Sequence, residues 1–420
     1  MSGYRTVPAG YGGDLVVAVG PRLLRGVATG PSLAEHRALW DEPRPVDAAE
    51  LASRTERAGL RGRGGAGFPF SRKLTTAVEA GKRRSVVVNA AEGEPGSAKD
   101  SALMLTAPHL VLDGADVVAA ALDCTTVTVV VPRERPAVGE SLARAITERD
   151  GDVTYEVQAT GGTFVGGQAR AVVELLEGRE NLPVTTWAPE AVSGVKGRPT
   201  LLSNAETFAQ VGAICALGVN AYLAEGLPEE PGTTLLTVAG DSPGGVVLEV
   251  PFGVELARVL AYCGYGGDGP VLMGGYHGAW LPAEEVRRRR VSAPDLAAAG
   301  AALGAGVVLP LDPSTCPVQI TASIVTYLAA HSARRCGPCR NGLPALAETL
   351  GELAGRTLVS STRAKELVAL VTGRGACAHP DGTARLVRSL FRAFPAEIAA
   401  HERGRCERSA AGLAAGKATA

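Results

Sequence analysis

The sequence predicts an α/β protein in several parts: a parallel-sheet domain, a small ββαβ unit and a helical end. Three observations predict it. Between residues 45 and 229, short β-branched runs alternate with helix-period segments. After Pro228–Pro231, which reads as a linker, two more apolar runs follow at 234–240 and 245–250. From residue 343 onward, apolar residues recur at helical spacing.

In chain order, residues 1–44 are Gly- and Pro-rich, with one apolar run at Leu15–Val19, and are expected to be an irregular lead-in. Asp47 is placed to N-cap a helix running to Ala58. Ser85–Asn89, Thr125–Val131 and Val153–Val157 read as strands, and Gly114–Leu122, Val138–Arg149 and Gln168–Glu177 as helices. The ββαβ unit ends in the strand Pro270–Gly275, and its helix lies around Val254–Cys263. Leu343, Leu346, Leu350 and Leu353 mark one late helix, and Leu386, Leu390, Phe394 and Ile398 another. With Val318–Ala330 and Thr362–Val371 these predict a four-helix bundle. Residues 403–420 are expected to be a disordered tail.

The chain has 420 residues, 46% hydrophobic and 20% charged, with a net charge of −1. That length implies two to four domains, and the charge implies no nucleic-acid surface. No apolar run reaches membrane-spanning length, and the N-terminus lacks a signal-peptide core. Eight scattered cysteines in such a chain point to a reducing cytoplasm rather than a disulfide framework.

Three segments carry chemistry. His331-Ser-Ala-Arg-Arg-Cys336-Gly-Pro-Cys339-Arg340, followed by Cys377 near His379, has thiolate spacing suited to one metal centre. Cys336-Gly-Pro-Cys339 is also a thioredoxin-like dithiol pattern, and three thiolates with His331 or His379 would satisfy zinc. Gly59-Leu-Arg-Gly62-Arg63-Gly64-Gly65-Ala66-Gly67-Phe68-Pro69 contains G-x-G-x-x-G but lacks the preceding strand of a dinucleotide fingerprint. Its glycines, with Arg61, Arg63 and Lys73, still offer an anion site on which a flat ring could lie. Asn89-Ala-Ala-Glu92-Gly93-Glu94-Pro-Gly follows the first strand, where α/β sheets bind ligands. Each loop is also readable as ordinary surface turn. Cys124, Cys215 and Cys263 read as core, Cys316 follows Asp312-Pro-Ser-Thr315, Cys406 reads as tail, and Arg287–Arg290 as a solvated face.

In order, these segments resemble the NADH-binding flavoprotein (F) subunit of complex I and the related flavin subunits of NAD-linked hydrogenases and formate dehydrogenases. Further matches are Gly167 with Leu176-Glu177-Gly178, and Gly197-Arg-Pro-Thr-Leu-Leu-Ser203-Asn204-Ala-Glu206-Thr207. The resemblance implies a Rossmann-like FMN domain at 45–229, a β-grasp (SLBB-type) domain at 230–305 and a helical iron–sulfur domain at 306–402. It implies FMN contacts at Gly62, Arg63, Gly64, Gly67, Lys73, Asn89, Glu92, Gly167, Ser203 and Asn204. It implies nicotinamide contacts at Phe68 and Glu94, and 4Fe-4S or 3Fe-4S ligands at Cys336, Cys339 and Cys377. It also favours the cluster over the dithiol.

The departures are equally specific. Ala333 stands where the family has its first cluster cysteine, Gln168 and Ala169 replace a Glu pair, and Ala91 replaces an Asp. Ser203 replaces an Asn, and Trp187-Ala-Pro-Glu190 replaces Pro-Pro-Phe-Pro. The expectation is a divergent, cytoplasmic electron-transfer flavoprotein passing electrons between NAD(P)H and a ferredoxin-like or other oxidoreductase subunit. The alternatives are a flavin/cluster subunit that does not bind NAD(H), and a scaffold with degenerate sites.

Overall fold

The computed structural model describes residues 4–8, 14–240, 245–355, 358–406 and 408. It is a mixed α/β structure with a parallel sheet, and it divides into two compact units. Most of the expected 403–420 tail lies outside the described residues.

The first unit comprises residues 1–93, 97–237 and 242–254. Its strands are β1 (Tyr4–Pro8), β2 (Asp14–Ala18), β3 (Ser85–Asn89), β4 (Thr126–Val131), β5 (Thr154–Ala159), β6 (Thr200–Asn204), β7 (Thr233–Val238, whose last residue passes the division) and β8 (Val246–Pro251). The order β5-β4-β3-β6 is parallel throughout. Val86, Val88, Val127, Val129 and Leu201 face one core. Val87, Val130 and Leu202 face another, closed by Val172 and Val173 of the Ala169–Leu176 helix. Apolar side chains on both faces are what a parallel sheet covered by helices requires.

On the first face, helices Pro108–Ala121 and Ala205–Leu217 cross at glycines. A Cβ on Gly114 would collide with the Phe208 carbonyl, and one on Gly212 would lie 2.6 Å from the Leu110 oxygen. Asp47 caps the Ala48–Arg57 helix as expected, its Oδ1 accepting from the Glu50 N–H at 2.8 Å.

The lead-in is not irregular. β1 and β2 form an antiparallel hairpin, and β2 pairs in parallel with β8, Val16 opposite Val246. Leu15 and Val17 are buried in the main core. The Leu15–Val19 run is therefore a strand whose partner lies 230 positions away, which no local signal reveals.

The second unit comprises 94–96, 238–241 and 255–420. In it, β9 (Val271–Met273) pairs antiparallel with both β10 (Ala279–Leu281) and β11 (Val307–Pro310). Its helices include Pro317–Ala330, Leu343–Ala354, Thr362–Val371, His379–Ala393 and Pro395–Glu402. The fourth expected helix breaks at Phe394, ahead of Pro395. Trp280 anchors β10, its indole N–H donating to Thr321 Oγ1 at 2.9 Å and its backbone N–H to Ser389 Oγ at 2.9 Å. No single helix among the described residues is long and apolar enough to cross a membrane.

The helix crossing makes a paired prediction. Gly114→Val forces backbone apart and should cost several kcal/mol, read as a lowered thermal midpoint. Gly139→Ala, in the Pro136–Thr147 helix where a Cβ meets nothing, should gain about 0.5–1 kcal/mol.

Candidate functional site

The carboxyl ends of β3 and β6 are neighbours, with Asn89 in register with Asn204. The glycine loop is fastened beside them. The Gly62 N–H donates to the Phe68 carbonyl at 2.8 Å, and Arg61 bridges to Pro69. The Arg63 N–H donates to Thr207 Oγ1 at 2.9 Å, at the start of the Ala205–Leu217 helix. Gly65 and Gly67 take positive φ of 99° and 61°, which bends the loop back as only glycine does without strain. Gly64, Gly65 and Ala66 are exposed, and a Cβ on Gly64 would touch only the Asn204 Cβ, at 3.5 Å. The loop therefore presents a bare, side-chain-free surface beside Asn204, which fits a flat ring. Buried Arg63 Nε has no hydrogen-bond partner among the described residues.

Beneath the loop lies a charge network only partly expected. Asn204 Nδ2 donates to Asp100 Oδ2 at 2.7 Å, and its Oδ1 accepts from Lys99 Nζ at 2.9 Å. The Asn204 Oδ1 also caps the next helix through the Glu206 N–H. Lys99 pairs with Asp100 at 2.9 Å and Glu206 at 3.0 Å. Burial works against the Lys99 charge, but these two carboxylates outweigh it and hold its pKa above the usual lysine value. Glu206 in turn accepts from the Leu235 N–H at 3.0 Å.

Asn89 Nδ2 donates to the Gly167 carbonyl at 2.8 Å, so those two residues meet. Ser203 is buried on β6. Glu92 differs from expectation. Its fully buried carboxylate closes the N-terminus of the Lys99–Thr106 helix, accepting from the N–H groups of Asp100 (2.9 Å) and Ser101 (3.0 Å), from Ser97, from the Ser101 hydroxyl, and from Arg135 Nη1 at 2.6 Å. Burial pushes this carboxyl up, but Arg135, the Ser101 hydroxyl and the Asp100 N–H overcome it and lower the pKa. The side chain therefore supports the start of this helix. Arg135, 43 positions further along the chain, is what makes this possible.

Lys73 is also engaged. Its Nζ donates to Glu190 Oε1 at 3.0 Å and to the Leu202 carbonyl at 2.9 Å. Glu190 ends the divergent Trp187–Glu190 segment, which Arg170 holds through the Ser193 and Ala188 carbonyls. The same segment leaves Trp187 85% exposed, and Phe68 in the glycine loop is 50% exposed. Gln168 and Ala169 begin the Ala169–Leu176 helix without a side-chain cap.

In the second unit, Glu94 accepts from the Tyr276 N–H at 3.1 and 3.2 Å. Burial raises its pKa to about 8, opposed only by backbone N–H groups of Tyr276 and Gly96.

The cysteine site is also in this unit. A single π-helical turn, Pro338–Gly342, leads into the Leu343–Ala354 helix. Cys336 packs against buried Cys339, with Ala329 and Leu343 around them. Burial pushes the Cys339 thiol up to about 12, and the neighbouring Cys336 and Cys377 add to the rise. Ala333, buried and nearby in sequence, supplies no further sulfur. His379 is spoken for, one ring nitrogen against the Leu328 carbonyl at 2.9 Å and the other against His277 at 3.1 Å. His331 stacks on Tyr327 with ring centroids 4.0 Å apart. The donor set is sulfur-rich and fits an iron–sulfur cluster at three positions.

Residues 55–213 match the family model for the Nuo51 FMN-binding domain, and residues 319–401 that for the NADH-ubiquinone oxidoreductase-F iron–sulfur binding region. The chain is 31% identical over 380 residues to the F 2 subunit of NADH-quinone oxidoreductase from Rhizobium meliloti, covering 85% of this chain and 90% of that one. It is 29% identical to the HndC subunit of the NADP-reducing hydrogenase of Solidesulfovibrio fructosivorans, covering 84% and 76%. It is similar to a solved NAD+-reducing [NiFe]-hydrogenase in the H2-reduced state, with a TM-score of 0.80 and 28% identity, covering 91% of this chain and 66% of that one.

The Glu94 environment sets a pH dependence. A carboxyl raised from 4.5 to about 8 on folding contributes stability that is fully present below pH 4.5 and lost as pH rises through about 8. Thermal midpoints of the wild type should therefore fall across that window relative to Glu94→Gln. Parallel curves for the two proteins would contradict the burial of this carboxyl.

Proposed function

The chain belongs to the F-subunit family of NADH-quinone oxidoreductases, and from that premise we propose an electron-transfer flavoprotein that works as one part of a larger oxidoreductase. It takes electrons from NAD(P)H and delivers them to another oxidoreductase subunit, with FMN and an iron–sulfur cluster as its redox groups. The observation that carries the reading is the exposed glycine surface at Gly64–Ala66, braced against Asn204 at paired strand ends. FMN, when bound, supplies hydride acceptance and single-electron release.

In this reading Gly62, Arg63, Gly64, Gly67 and Lys73 cradle the cofactor, and Asn89, Glu92, Gly167, Ser203 and Asn204 line the strand ends. Phe68 and Trp187 are exposed aromatic platforms for the nucleotide, and Glu94 is its acid contact. Cys336, Cys339 and Cys377 hold the cluster, with the fourth position left by Ala333 to water or an external ligand. Residues 45–229 serve as the FMN domain, 230–305 as an SLBB-type β-grasp and 306–402 as the helical iron–sulfur domain. The setting is cytoplasmic.

Two tests follow. Gly64→Val should abolish FMN uptake on reconstitution with little loss of stability, since the added carbons occupy the ligand side of the loop. Glu190→Gln should tighten FMN by about tenfold, because Lys73 is released from a charged partner. In anaerobic stopped-flow, bleaching of the flavin by NADH or NADPH supports the dehydrogenase reading. No bleaching at millimolar nucleotide rejects it in favour of a protein reduced by another donor. Iron and sulfide in anaerobic protein, lost in Cys339→Ser, identify the cluster.

A further inference from the structure

A second group of metal-type ligands lies apart from the cluster cysteines. Cys316, His401 and Cys406 place their ligand atoms all within 4.8 Å of one another. The chain builds this group from three local features. Cys316 is the N-cap residue of the 14-residue Pro317–Ala330 helix and is fully buried. His401 is fully buried in the last turn of the Pro395–Glu402 helix. The turn that follows folds back, with the Arg403 and Arg405 N–H groups both donating to the Ala400 carbonyl at 3.0 Å, and this returns Cys406 to the group.

The histidine tautomer is informative. His401 Nδ1 lies 2.9 Å from the Leu353 carbonyl, which only accepts, so Nδ1 carries the proton. Nε2 therefore keeps its lone pair, and it faces Cys316 Sγ at 3.2 Å. A ring oriented by a backbone carbonyl, with the other nitrogen turned to a thiol, is the arrangement of a metal-ligating histidine. A simple S–H···N hydrogen bond accounts for Cys316 and His401, and the Cys406 sulfur lies 3.2 Å from the Arg408 carbonyl, but neither contact requires all three ligand atoms to gather in one place. Tetrahedral zinc accounts for all three, since ligand atoms around it stand about 3.5–3.8 Å apart. The group is too tight for thiolates flanking a cubane, and two sulfurs with one imidazole are a zinc-type donor set.

We propose that Cys316, His401 and Cys406 bind one zinc ion, with water or a further donor in the fourth position, and that this ion ties the C-terminal turn to the start of the helix leading to the cluster cysteines. On binding, both thiols lose their protons to solvent and no electron is transferred. The signal available in sequence was the short His401-x4-Cys406 pair, which reads as tail until Cys316 is brought beside it.

The test uses the full chain purified anaerobically without chelators, with zinc, iron and sulfide measured per chain. The expected result is about one zinc. It should fall at least about tenfold in Cys316→Ser, His401→Gln and Cys406→Ser while iron and sulfide stay unchanged. Cys339→Ser should show the reverse, losing iron and keeping zinc, so failure of this site and failure of the cluster reading are distinct. Zinc-edge X-ray absorption on the wild type needs no variant and should show two sulfurs and one imidazole. Zinc absent after addition of the metal, zinc unchanged in all three variants, three sulfur neighbours, or a Cys316–Cys406 disulfide in fresh protein would each overturn the proposal.

Discussion

The constraint on which the first unit depends is the neutralisation of buried charge around Asn204. The Asn204 amide touches Lys99 and Asp100, and the chain of charges extends from them through Glu206 to Arg63 and through the Asp100 N–H to Glu92 and Arg135. None is tolerable alone, because removing one partner strands a buried charge at a cost of about 3–5 kcal/mol. Together they fix the ends of β3 and β6, the starts of helices Lys99–Thr106 and Ala205–Leu217, and, through Arg63, the glycine loop. The bare surface of Gly64–Ala66 is held by this network together with the loop's own Gly62–Phe68 hydrogen bond. Glu92, a motif residue, is also a support of the site, through Arg135 and the start of the Lys99–Thr106 helix.

Environment also separates two carboxylates that sequence sets side by side. Glu92 has Arg135 and a helix N-terminus, and its pKa is lowered. Glu94, two positions on, has only backbone N–H groups against the same desolvation, and its pKa rises to about 8. One is an ion that organises structure. The other is neutral over much of the physiological range and ready to donate a hydrogen bond as well as accept one. A Glu-x-Glu pattern does not contain that distinction, because the deciding cation comes from Arg135, far along the chain.

Legibility in the sequence followed the range of the interaction. β3 and β4 were readable from their β-branched runs, and the Asp47 cap from its own four residues. The parallel sheet followed from alternation alone. The β2–β8 pair was not readable, since each strand is short and its partner is remote. The consequence of Trp187-Ala-Pro-Glu190 was half readable. The altered aromatic was plain, but the new ion pair of Glu190 with Lys73 exists only once the segment folds onto the strand ends.

The cysteines show why residue type outran spacing as a guide. Burial pushes the Cys316 thiol to about 11 and the Cys339 thiol to about 12, so both are protonated at neutral pH. A buried thiol of that kind is inert packing, and inert packing is met as well by valine or alanine. What sets these two apart is a second sulfur beside each, together with Cys377 in one case and an oriented imidazole in the other. Close thiols repel one another as thiolates, which is part of why their pKa values rise. A metal reverses that repulsion by displacing the protons and binding the sulfurs in common. Clustered thiols that are costly to ionise alone are thus cheap to ionise together, and only around a cation.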